Sequence, residues 1–158
     1  MASDGRRKML ITGVRDKIKA ATGGPNYFYN WSLAGVCELG READESFYQS
    51  KHQIIARVYE GGDRHIYKGS ANFSADLEIQ VDLRVRGTTP LVAQLNDAIA
   101  DITLAVRVGN PSVGVCATIL GIDTIDPPIY DFDQSRGYFA QTIIRILGQY
   151  DYTAGVDR

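Results

Sequence analysis

From Asn72 to Arg86 the chain alternates without interruption. Phe73, Ala75, Leu77, Ile79, Val81, Leu83 and Val85 occupy one set of positions, and Ser74, Asp76, Glu78, Gln80, Asp82, Arg84 and Arg86 the other. A period of two predicts a single strand with one dry face and one wet face. At ~3.3 Å per residue such a strand would be near ~45 Å long, against a usual ~20 Å. The expectation is therefore that one end outruns the sheet of its own domain and is covered by another chain. Two segments follow a helical period instead. Leu10, Val14, Ile18 and Ala21 predict an amphipathic helix over 6–21, capped by Ser3 or Asp4. Leu91, Leu95, Ala98, Ile102 and Val106 predict a second, with Thr89 as cap, Pro90 at the first helical position and Gly109-Asn110-Pro111 as its stop.

The remaining segments fill in around these. Tyr27 to Trp31 form an aromatic link that cannot all be solvated, and 32–39 has strand character. Residues 40–51 turn polar and acidic and predict an exposed loop, long enough to be a contact surface. A strand over 53–59, a turn at Glu60-Gly61-Gly62-Asp63 and a return over 64–68 read as a hairpin. Residues 113–122 predict a buried strand, broken by the charges and prolines of 123–128. The closing strand, 137–150, is apolar on both faces and so belongs in the middle of a sheet. The pattern gives an α+β fold, a mainly antiparallel sheet with a long central strand and a hairpin, packed against two amphipathic helices. It spans one domain, 1–158, with flexible ends at 1–5 and 151–158.

Composition narrows the function. At 158 residues and 44% hydrophobic, the chain can build a core that needs neither metal nor disulfide. Cys37 and Cys116 sit in apolar surroundings without metal or redox spacing, and both read as small buried residues in a reduced interior. A net charge of −2 disfavours tight, direct nucleic-acid binding. The basic start is followed by an apolar stretch that Gly13, Arg15 and Asp16 interrupt, and no run approaches the ~18 residues of a membrane span. A soluble protein made in the cytosol is expected.

Candidate chemistry is sparse. His52 and His65 lack partners at metal-ligand spacing, and no nucleophile elbow or phosphate-binding loop is present. Asp76, Glu78 and Asp82 share the wet face of the long strand, where next neighbours lie ~7 Å apart, a separation that overlaps the inverting-glycosidase range. Their setting, a flat strand with Gln80, Arg84 and Arg86, favours a solvated, contact or channel surface over a small carboxylate-dependent hydrolase. Arg57, Arg64, His65 and Lys68 beside Tyr59 and Tyr67 read as solvated charges on a hairpin. No catalytic, cofactor-binding or metal-binding residue is assigned, and no enzyme activity or cofactor is expected.

The order of elements resembles that of the tail terminator (tail-completion, or minor tail) proteins of long-tailed bacteriophages. The likeness is carried by Leu10 to Ala21, the strand Phe73 to Val85, the helix phrase from Pro90 to Ile102 and the closing strand Tyr138 to Tyr150. The resemblance implies a virion protein of the phage neck. It would form a six-membered ring on the tail tube protein, end tail elongation and present a surface to the head-tail connector or adaptor, with no membrane partner. DNA would pass through the bore without specific binding, and Asp76, Glu78, Gln80, Asp82 and Arg84 are the candidate bore lining. Glu42, Asp44, Glu45, Phe47, Tyr48, Arg64 and Tyr67 are the candidate contacts between subunits or with partners. Another neck or tail component, an adaptor or a tube subunit, is the alternative.

Overall fold

In the computed structural model, which describes residues 5–38, 53–87, 91–114, 116–131 and 139–153, the alternating segment is the strand β3, Asn72–Arg86. Leu77, Ile79, Val81 and Leu83 of its dry face are fully buried, each contributing roughly 1.5–3 kcal/mol. In chain order the described elements are α1 (Arg6–Lys19), β1 (Gly35–Glu38), β2 (Ile54–Gly69), β3, α2 (Leu91–Arg107), β4 (Ser112–Gly114), β5 (Ala117–Ile125), β6 (Ile129–Asp131) and β7 (Phe139–Thr153). The strands form one sheet in the order β1-β2-β3-β7-β5-β4, with β6 beside the start of β7. Every pairing is antiparallel except that of β1 with β2. The α+β class, the central place of β7 and the two buried helix stripes agree with the sequence.

The length of β3 has a different consequence from the one expected. It does not overhang, because β2 pairs with it from Val85 to Asn72 and β7 pairs with it from Asn72 to Arg86. Both edges are thus covered within one chain, and no sister subunit is needed to complete it. The partner strand is long because the hairpin is not where the glycines suggest. Gly61 and Gly62 form a bulge inside β2, where the register shifts between Glu60 and Asp63. The chain reverses instead at Ser70-Ala71, where Gly69 pairs with Asn72 and both loop residues have positive φ, 51° and 62°. That is what a two-residue turn matched to the strand twist requires, though the residues lack the usual Asn-Gly signature.

Other boundaries also move. The single strand expected over 113–122 is two, β4 and β5, joined through Cys116, which has φ 56° and is exposed, not buried. Pairing with β7 carries β5 on to Ile125, and 151–153, expected to be free, complete β7 opposite Asn72 to Ser74. Gly5, not Ser3 or Asp4, is the cap residue of α1. The Thr89 cap, the loop 40–51 and the tail 154–158 lie outside the described residues, as does the side chain of Cys37.

Both helices lie on the dry face. Leu10, Val14 and Ile18 of α1 and Leu95, Ala98 and Ile102 of α2 are fully buried against Leu77, Ile79, Val81, Leu83, Ile144 and Ile146. Close approach depends on missing side chains. A Cβ on Gly13 would lie 2.6 Å from Val113, and one on Gly148 would lie 3.0 Å from Leu10. The stripe of α2 also includes Asp101, 1% exposed. Its carboxylate accepts from the backbone N–H of Phe28 (2.9 Å) and Tyr29 (3.0 Å) and from the Trp31 indole (2.9 Å). The aromatic link is thereby fastened over the helices, with Trp31 wholly buried and Phe28 left 66% exposed.

Candidate functional site

No described helix covers the other face of the sheet, and its polar residues are arranged in a cross-strand lattice. Pairing places Arg57 of β2 opposite Asp82 of β3, and their side chains form an ion pair largely shielded from solvent. The amide of Gln141 on β7 donates to Asp82 at 2.8 Å and accepts from Arg84 at 3.0 Å. Arg145, also on β7, bridges two strands. It contacts Glu78 of β3 at 3.3 Å and holds Asp126, just beyond β5, through two bonds of 3.0 and 2.9 Å. Glu78 accepts from Gln80 at 2.9 Å and Asp76 from Gln149 at 3.3 Å. Arg84 also lies over the Phe139 ring at 5.0 Å.

All five candidate lining residues are therefore brought together on one face, but as a lattice of balanced charge and not as a row of free acids. Across the middle of the face the sign alternates by strand. Arg57 and Arg64 of β2 face Asp82 and Asp76 of β3, and Arg145 of β7 stands between Glu78 of β3 and Asp126 at the β5 edge. The paired geometry shows in the ionisation. The Arg145 hydrogen bonds hold the Asp126 carboxyl below its ordinary value, and Asp126 and Glu78 raise Arg145 in turn, against its desolvation. Burial, with Asp82 nearby, raises the Tyr59 hydroxyl. Period-two alternation was enough to find Asp76 to Arg84. Arg57, expected to be a solvated charge on a hairpin, is instead shielded against Asp82, and Arg145, Asp126, Gln141 and Gln149 carry no sequence signal, because these roles depend on register between strands distant in sequence.

The candidate contact residues do not form one patch. Arg64 lies opposite Asp76 on the bare face, whereas Tyr67 pairs with Phe73 on the helix side, 64% exposed, with ring centroids 5.3 Å apart. Glu42, Asp44, Glu45, Phe47 and Tyr48 lie outside the described residues. Near Tyr67, His65 meets the Tyr152 hydroxyl at 2.7 Å and Asp63 at 3.2 Å, and Tyr150 donates to Asp63 at 3.0 Å. Burial pushes the Asp63 carboxyl up, but Tyr150, Arg7 and His65 outweigh it and leave the group below its ordinary value. Burial and Asp63 raise Tyr150. A cleft of about 490 Å³ between α1 and the end of α2 is lined by Asp16, Lys17, Tyr27, Val108, Asn110 and Val113. Its lysine donates to the Val108 carbonyl at 2.7 Å and so serves as a tie between the helices. Among the described residues no cluster of metal-ligating side chains occurs, and no helix is long and apolar enough to cross a membrane.

The described residues define an α+β sheet with one helix-covered face and one charge-balanced face on which no described helix lies. No protein-family model matches the chain, and no curated protein matches it.

Proposed function

We propose that this chain is a virion structural protein, a tail terminator that forms a six-membered ring on the tail tube of a long-tailed bacteriophage. The ring ends tail elongation and joins the tail to the head connector. The observation that carries the reading is the bare face. A sheet whose described helices all lie on one side, with a long polar lattice on the other, is suited to stand around an aqueous bore. The sequence resemblance points the same way. Overhang of β3 no longer contributes, since that strand is completed by its own chain.

The lattice also changes how DNA would pass. Asp82, Glu78 and Asp126 are matched by Arg57 and Arg145, so the lining is polar with little net field. Phosphates are then neither gripped nor strongly repelled.

Electron microscopy and mass measurement of the purified protein test the reading. Closed six-membered rings with a central hole are expected. Long filaments would favour a tube subunit instead, and a strict monomer at all concentrations, absent from particles, would overturn any assembly role.

A further inference from the structure

The chain has a single Asp-Pro step, Asp126-Pro127, just past the end of β5. Such a step carries its own cutting reagent. A carboxyl oxygen of the aspartate can attack the carbonyl carbon of its own residue, forming a C–O bond as the C–N bond to proline breaks. The proline nitrogen leaves with the carboxyl proton as a secondary amine, and water then opens the cyclic anhydride to leave two carboxyls on the aspartate. The reaction needs the carboxyl protonated and one of its oxygens free to turn back on the main chain.

The structure holds Asp126 at each of its polar groups. Its N–H donates to the Ile143 carbonyl at 2.9 Å. Its carbonyl accepts from the Thr142 hydroxyl at 2.7 Å, a bond that draws electrons from the carbonyl carbon and so favours attack. Its carboxylate is gripped at both oxygens, by Arg145 Nε at 3.0 Å and Nη2 at 2.9 Å. The two holds pull to opposite sides of the sheet. Thr142, 3% exposed, belongs to the helix-covered face with Ile144 and Ile146, and Arg145 to the other. Attack therefore requires an oxygen to leave the guanidinium and swing back toward the carbonyl carbon. Burial offers no other shield, because Pro127 and Pro128 are exposed and the Asp126 side chain is 34% exposed.

Arg145 is fixed from behind by Glu78 of β3 at 3.3 Å. Tyr59 of β2 stands in the same neighbourhood with Arg57 and Asp82, and Asp123 and Asp131 are the nearest acids along the chain. Among the described residues, Arg145 is the one cation bonded to the Asp126 carboxylate.

We propose that Arg145 guards the Asp126-Pro127 bond, holding both carboxylate oxygens so that the chain does not cut itself there in acid. The residue thus has a chemical task besides tying strands together, and Thr142, by polarising the carbonyl, makes the guard necessary. Nothing in this depends on the ring reading.

For the test, the full chain is held at about pH 4, near the ordinary carboxyl range, with circular dichroism showing it native. Scission is read by denaturing electrophoresis and mass spectrometry as fragments ending at Asp126 and beginning at Pro127. The folded wild type should be cut roughly tenfold or more slowly than the same chain unfolded in urea, and folded Arg145→Met should approach the unfolded rate. Glu78→Gln, which leaves the grip on Asp126 in place, should keep the wild-type rate. Equal rates for folded Arg145→Met and wild type would overturn the proposal. So would Glu78→Gln cutting as fast as Arg145→Met, since loosening of the face alone would then explain the loss. Where Arg145→Met does not fold, the pH profile of the wild type decides. Arg145 keeps the Asp126 carboxyl ionised to lower pH, so scission of the folded chain should set in at a lower pH than in urea. Rigidity alone would slow the cut without moving its onset, and coincident onsets would sink the guard.

Discussion

The two faces of the sheet each hold a carboxylate shielded from water, and they satisfy it by different means. On the helix side, Asp101 is surrounded by N–H groups of the aromatic link and has no cation among those partners. On the bare face, Asp82 is matched by the Arg57 guanidinium and the Gln141 amide, reached across neighbouring strands. The first solution fastens an irregular segment to a helix, since three donors converge on one side chain. The second fixes the register of strands, since each partner sits in a defined row. An acid held by backbone donors cannot be exchanged for an apolar residue without orphaning them. One held by a countercharge can be, if both partners change together.

Substitutions can break this contrast, and the largest effect is expected on the helix side. Asp101→Ala should cost about 3–5 kcal/mol, because buried donors lose their acceptor together. Urea unfolding followed through the fluorescence of Trp31, the one tryptophan, measures it. A loss under about 1 kcal/mol would show that the link is held by packing alone. Asp82→Ala should come next, at about 2–4 kcal/mol, because a solvent-shielded ion pair loses its acid. Arg57→Met combined with Asp82→Leu should recover to within about 1 kcal/mol of the wild type, and no apolar pair should do so at Asp101.

Acid provides a smaller, mutation-free probe. Asp63 and Asp126 both have carboxyls below their ordinary value of 3.8. Their contribution is therefore present above that value, where the unfolded chain is ionised, and is lost as pH falls through the lower folded value. The melting temperature should drop as pH is lowered below about 4, and Asp126→Asn should flatten that part of the profile. Smallest of all, Glu78→Gln should leave stability almost unchanged, since its pairing with Arg145 is partly open to solvent. A large loss there would mean that the bare face is covered in solution.

Sequence patterning made much of this architecture legible. Alternation alone located β3 to the residue, and the stripes of α1 and α2 named side chains that are fully buried. The failures have physical causes. Gly61-Gly62 reads as a turn, but pairing on both sides of the pair absorbs it as a bulge, while the true turn uses Ser70-Ala71, residues that seldom mark one. Asp101 lies on the apolar stripe of α2 three residues after Ala98, where helical periodicity alone gives a charged residue no role. The buried indole of Trp31, which needs an acceptor, was the signal that could have paired them. The length of β3 suggests an overhang in the sequence because the nearly matching length of β2 is hidden by the glycines.

That near match has a mechanical consequence. β3 and β7, of 15 residues each, lie side by side in continuous antiparallel register, and β2, of 16, flanks β3 along its length with a bulge at Gly61-Gly62. A pull applied along them loads the whole ladder of backbone bonds at once, so nothing yields until many rungs give way together. A force that peels from the Ser70-Ala71 end meets the rungs one at a time. The ribbon is thus a plank, stiff lengthwise and weak to lifting at its tip.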